Sequence, residues 1–305
     1  MKAGSILLIA ILCSSSAQQS RGQQGNGAVQ FQIKNVHLML ARDIALEVAH
    51  LRGQLERTNA SVPVTFDDGA SFVVNIDSAS VAVTAASMTA LMNSYVFAYE
   101  GAPIKNVTMT IEGDRLVQKG TIHKGIDLPF EMEGSLSPTP EGNIRVHADK
   151  IKAAHVPAKG LLHFLGEDLE KLIKQRADRG VVAEGDDLIL EPRMLTPPPH
   201  LQGRVTRVTI ANDKIVMEFD SGHHTPSLTP PFHTAAYIYH RGGILRFGKL
   251  TMNDADLEIV GDRPGTFEFF QREYKKQLVA GYSKNTSSGG LVAHMVDYSR
   301  IDGRR

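Results

Sequence analysis

A chain of 305 residues with 33 basic and 33 acidic side chains has no net charge to drive binding to nucleic acid or to an anionic membrane surface. Tryptophan is absent and aromatics make up only 6%, which argues against sugar recognition by stacking platforms. The single cysteine, Cys13, lies in the N-terminal leader. Disulfides, thiolate catalysis and cysteine metal sites are therefore excluded from a chain that has lost it.

The leader has a secretory layout. Lys2 is a positive start, residues 6–12 are an apolar run, and Ser15 and Ala17 supply the small residues of a cleavage site before Gln18. Seven apolar residues are too few to span a bilayer, so a signal peptide over residues 1–17 is expected in preference to a retained anchor. Lipidation at Cys13 would need a small residue before it, and Leu12 is not small. The expected location is across the inner membrane, in the periplasm or cell envelope. Residues 18–30, rich in Gln, Gly and Ser, read as a disordered linker.

Beyond the linker, Val36, Leu38, Leu40, Ile44, Leu46 and Val48 share even parity, which predicts a long bent strand or a hairpin with one buried face. Phe72, Val74 and Ile76, then Val81 and Val83, predict another strand. The period changes over residues 87–97. There Met88, Leu91, Met92, Tyr95 and Val96 recur at helical spacing behind Ser87, a candidate N-cap.

Residues 104–154 return to strands, with a tight turn at Glu112-Gly-Asp114 and a longer one at residues 138–142. The clearest helix falls over residues 158–176. Its stripe is Leu161, Leu162, Leu165, Leu169, Leu172 and Ile173, with His163 at the boundary. Residues 181–190 read as a strand pair or extended segment, and residues 203–219 as a hairpin turning at Asn212-Asp213. Residues 110–117 and 209–216 echo one another, as recurring hairpins do. Residues 221–233 read as a linker or exposed loop, 235–259 as strands, 267–278 as a short helix, and 291–298 as a last strand. The expected organisation is one domain over residues 31–222. Residues 223–305 then form a C-terminal lobe or an extension of the same sheet.

No set of catalytic residues is recognisable. His223, His224, His233 and His240 form the densest histidine group. Adjacent histidines diverge on an extended backbone, and no two-ligand helix motif is present, so no metal is expected. The acidic pairs Asp67-Asp68, Asp186-Asp187 and Asp254 with Asp256 sit where turns or solvent-facing positions explain them. Nucleophile-elbow, Walker and kinase motifs are missing. Glycosylation acceptor patterns at Asn59, Asn106 and Asn285 are of a kind common by chance.

The middle of the chain resembles the bacterial LmeA-like family of periplasmic phospholipid-binding proteins and, through it, the tubular lipid-binding (TULIP) superfold. The resemblance is carried by Asp114-Arg-Leu-Val117, Gly125-Ile-Asp-Leu-Pro-Phe130, Ile144-Arg-Val-His-Ala148, Pro157-Ala-Lys-Gly-Leu-Leu162, the helix over residues 165–173 and residues 208–216. It covers residues 36–222, and the segment after Gly222 departs from it. It implies an α+β fold: a long, curved, mainly antiparallel sheet with amphipathic helices on its concave face and an acyl-chain groove between them. The helix stripes then read either as core or as groove lining. As lining, the candidates are Leu161, Leu165, Leu169, Leu172, Met88, Leu91, Met92 and Tyr95, the methionines adapting to irregular partners.

The expected function is a non-enzymatic exported protein that binds a phospholipid or other apolar small molecule, without cofactor, with transient membrane contact and without nucleic acid. Two alternatives stand beside it. One is an envelope scaffold that recruits an unspecified protein by strand-edge pairing. The other is a hydrolase whose His and Asp residues converge only in the fold.

Overall fold

The computed structural model describes residues 27–123, 126–153, 180–184, 187–195, 198–223, 225–232 and 234–301. The expected signal peptide, most of the linker, and the helix carrying Leu161, Leu165, Leu169 and Leu172 lie outside these residues. The linker also ends earlier than expected, because strand pairing already begins at Val29.

The first strands are long. β1 (Val29–Ala41) and β2 (Ile44–Arg57) form a hairpin turning at Arg42 and Asp43. The short β3 (Val64–Thr65) leads to β4 (Phe72–Thr84), which pairs antiparallel with β2. Each long strand changes parity partway along. On β1 the buried side chains pass from Phe31 and Ile33 to Val36, across Asn35 at φ 51°. On β2 they pass from Ile44 and Val48 to Leu51 and Leu55, and on β4 from Phe72, Val74 and Ile76 to Ala79, Val81 and Val83. Register shifts between β2 and β4 fall at the same breaks. A bulge lets a strand bend while its apolar residues stay on one side, so the sheet curves around its own core.

α1 (Ala85–Leu91) follows, continued by a π turn (Met92–Val96). Its N-cap is Thr84, whose side chain accepts from the Ser87 N–H at 3.1 Å. Ser87, the expected cap, instead accepts from the Ala45 N–H and ties the helix to β2. Thr89 and Asn93 then bond the edge of β5 (Ile104–Glu112): Thr89 Oγ1 accepts from Met109 N–H, and Asn93 pairs both backbone groups of Val107. A helix laid along an edge strand removes a template for unwanted pairing.

β5, β6 (Arg115–His123), β7 (Asp127–Pro138) and β8 (Ile144–Ala153) form a meander. β10 (Asp187–Leu190) and then β9 (Val181–Glu184) extend it to a six-stranded sheet. After α2 (Pro192–Leu195) and β11 (His200–Gln202), the hairpin β12 (Val205–Ala211) and β13 (Lys214–Asp220) returns to β4. Its turn residues Asn212 and Asp213 both have positive φ.

The C-terminal part continues the first sheet. β14 (Tyr237–Gly242) pairs with the free edge of β1, and β15 (Leu245–Phe247) and β16 (Leu250–Met252) form a small sheet with β3. β17 (Ala255–Gly261) pairs with β14. The expected helix over 267–278 begins as a strand. β18 (Phe267–Phe270) runs parallel to β1, and only α3 (Tyr274–Ala280) is α-helical. Phe267, Phe269 and Phe270 are buried against the sheet, where pairing with β1 outweighs the helical spacing. β19 (Tyr282–Asn285), β20 (Leu291–Met295) and α4 (Tyr298–Ile301) close the chain. The result is an eleven-stranded, mainly antiparallel sheet facing a six-stranded one.

The fold is thus mostly sheet with few helices among the described residues. Among the described residues, the side chains that meet the curved face of the large sheet come chiefly from the six-stranded sheet and α1, while the helix expected over residues 158–176 lies outside them. The physical reason is that β5 to β8 alternate strongly enough to present one apolar face of their own. Residues 225–232, expected as a linker or exposed loop, are pinned on the opposite face. Leu228 N–H donates to Gln32 Oε1 at 3.0 Å, and Leu228 packs on Tyr237, Tyr239, Val260 and Val292.

Candidate functional site

Between the two sheets lies a cavity of about 170 Å³, roughly ten times the space one water needs. The large sheet contributes one wall. On β1 the lining runs from Phe31 to Leu40, a contour of about 30 Å at ~3.3 Å per residue. The bulges in β1, β2 and β4 allow this, because they keep both halves of each strand on the cavity side. The second wall comes from Met109, Leu116, Leu136, Ile144, Val146 and Leu188 on the six-stranded sheet. α1 and the turn after it add Met88, Leu91 and Met92. Tyr95, on the same turn, packs against the core but does not reach the cavity wall.

Four polar side chains line this apolar space among the described residues: Gln118, His240, Gln271 and Arg272. Gln118 on β6 is 4% exposed, and its amide makes no hydrogen bond with any described residue. His240 on β14 is 2% exposed, stacked on Phe31 and edge-on to Phe66. Burial pushes its imidazole down to about 4, only partly opposed by the Leu257 backbone. It is neutral at physiological pH, and its Nδ1 has no hydrogen-bond partner among the described residues.

Gln271 and Arg272 sit at a rim. Together with Phe66 and Pro198 they belong both to the apolar cavity and to a neighbouring polar pocket of about 350 Å³, which also includes Asp67, Asp68, Gly69 and Ala70. Asp67 is neutralised by Lys275 at 2.8 Å. Asp68 accepts from Ala70 N–H at 3.0 Å and caps a short 3₁₀ turn. Arg272 is exposed and forms no ion pair with a described residue. A hydrocarbon space thus opens beside a polar pocket in which Arg272 and Asp68 carry opposite charges that form no ion pair with a described residue.

The expected histidine group does not assemble among the described residues. His240 is in the cavity wall, His223 is on the loop after β13, and His224 and His233 lie outside the described set. No group of three His, Cys, Asp or Glu side chains among the described residues is placed to hold a metal. Asp187 takes an ion pair with His147, and Asp256 accepts from the Tyr239 hydroxyl and pairs with Arg241. Sequence reasoning missed Gln118 and Arg272, and it read His240 only as one of a histidine group and not as cavity lining. Gln118 shares the parity of Leu116 and Ile122, so its only trace in the sequence is a polar residue at an inward position of an apolar strand.

No family model, curated protein or solved structure matches this chain.

Proposed function

We propose that this protein is a non-enzymatic, exported binder of an amphiphile in the cell envelope, holding the hydrocarbon body between the two sheets and the polar head at the Arg272 rim. The single observation that carries this reading is the apolar cavity joined to a polar pocket through Phe66, Pro198, Gln271 and Arg272. A contour of about 30 Å is long enough for the tails of one lipid, which span about half of a bilayer's ~30 Å hydrocarbon core. Each CH₂ moved from water into such a space contributes roughly 0.8 kcal/mol. The curved antiparallel sheet over an apolar space also supports the resemblance to the LmeA-like family and the tubular lipid-binding superfold, with phospholipid as the first ligand to try.

The test is native mass spectrometry and solvent extraction of the purified protein, followed by titration with a fluorescent phospholipid. Co-purified lipid or saturable uptake is expected. A ligand-free protein that also fails to take up the probe overturns the proposal.

A further inference from the structure

Three glutamines are buried among the described residues, and two are bonded through both the oxygen and the nitrogen of the amide. Gln277 accepts from Phe270 N–H at 2.8 Å and donates to the Glu268 and Val296 carbonyls at 2.6 and 2.9 Å. Gln32 accepts from Leu228 N–H and donates to the Tyr237 hydroxyl. Gln118 makes none of these contacts, although it is 4% exposed. Its cross-strand neighbour Met109 and its strand neighbour Leu116 line the same cavity, so its amide lies in an apolar wall. An amide that faces an apolar space is costly unless water or a ligand bonds it, and a leucine would line this position without that penalty.

We infer that Gln118 is the hydrogen-bonding anchor for a hydroxyl carried on the hydrocarbon body of the bound amphiphile, so that the site selects a hydroxylated chain over a plain one. The inference rests on the apolar-ligand reading above. A primary amide both donates and accepts, and a hydroxyl is the smallest neutral group that answers either half. A charged group at this depth is disfavoured, because the only charged side chain in the wall among the described residues is Arg272 at the rim. His240, with its own unpartnered Nδ1, adds a second neutral polar position on the opposite sheet. Sites that present a buried polar group discriminate strongly against ligands that leave it unpaired.

The test is calorimetric titration of the delipidated protein with stearate and with a set of monohydroxystearates differing in hydroxyl position. At least one hydroxylated chain is expected to bind about tenfold more tightly than stearate. Gln118→Leu should abolish that preference while leaving stearate binding intact or stronger, and Gln118→Met serves the same purpose should the leucine variant not fold. Equal binding of all probes by the native protein means that water alone satisfies the amide, and overturns the anchor. A preference that survives in the variant also overturns it. Failure of every probe to bind overturns the apolar-ligand reading, and the anchor with it.

Discussion

The backbone N–H of Phe232 donates to Oε2 of Glu258 at 2.8 Å, and Glu258 is fully buried in the middle of the large sheet. That bond fixes the end of residues 225–232 across the face of the sheet turned away from the cavity. The same segment is held further along by Gln32, through Ser227 and Leu228. Glu258 therefore serves as a tether. Glu258→Leu should leave the Phe232 N–H without its acceptor, at a cost of about 2 kcal/mol. For a protein of this size that lowers Tm by roughly 4–8 °C. Circular dichroism melts measure it, and limited proteolysis should cut the released segment first. An unchanged melt with an uncut segment would remove the tether role.

His240 ties stability to pH. Its folded-state value is pushed by burial from 6.5 down to about 4. The unfolded chain binds the proton more readily, so stability is complete above the unfolded value and falls as pH drops from about 6.5 toward 4. The shift corresponds to roughly 3 kcal/mol across that window. His294 is shifted the same way, by burial and by the Lys284 charge. Depressed carboxylates such as Glu131, held down by Lys119, lose their contribution only at lower pH, below the ordinary carboxylate value of 4.5. Urea melts between pH 5 and 7 separate the two groups. His240→Phe should flatten most of the slope, and a slope that survives intact would show that another group carries it.

Much of this architecture can be read in the sequence because period-two alternation marks any strand with one buried face. The hairpins at Gly113 and at Asn212-Asp213 are legible for the same reason, since their turn residues take positive φ readily. Parity changes are harder. Asn35 moves the buried set of β1 from odd to even positions, and only the register of its neighbours shows that the strand continues. Phe267, Phe269 and Phe270 read as a helix start because their pairing partner, β1, is more than two hundred residues away in the chain. The cavity is less legible still. Met88, Leu91 and Met92 look identical as core or as lining, and which they become depends on how closely a second sheet approaches.

Arg272 is the cation that lines both the apolar cavity and the polar pocket, so it should set head-group preference without setting tail affinity. Arg272→Glu reverses its charge. Uptake of an anionic phospholipid should weaken about fivefold at low salt, and uptake of a neutral diacylglycerol should hardly change. The difference should shrink as ionic strength rises, because the group is exposed and screened. Equal losses for both probes would point to a distorted rim, and no loss for either would place the head group elsewhere.

Val81 offers the sharpest separation of a cavity from a closed core. It is 4% exposed, pairs with Val48 and Met217, and lines the cavity from the centre of the large sheet. Val36 is equally buried on β1 but is not part of the cavity wall. In a filled core a larger side chain forces neighbours aside, at about 1–3 kcal/mol. In open apolar space the added ring gains burial with little strain. Val36→Phe should therefore lower Tm, whereas Val81→Phe should leave it unchanged or raise it. Val81→Phe should also reduce phospholipid uptake severalfold, because the ring occupies volume that a hydrocarbon chain would otherwise fill. Thermal melts and a fluorescent uptake assay on both variants decide the matter. If Val81→Phe destabilises as strongly as Val36→Phe and leaves uptake intact, the space between the sheets is not where the ligand binds.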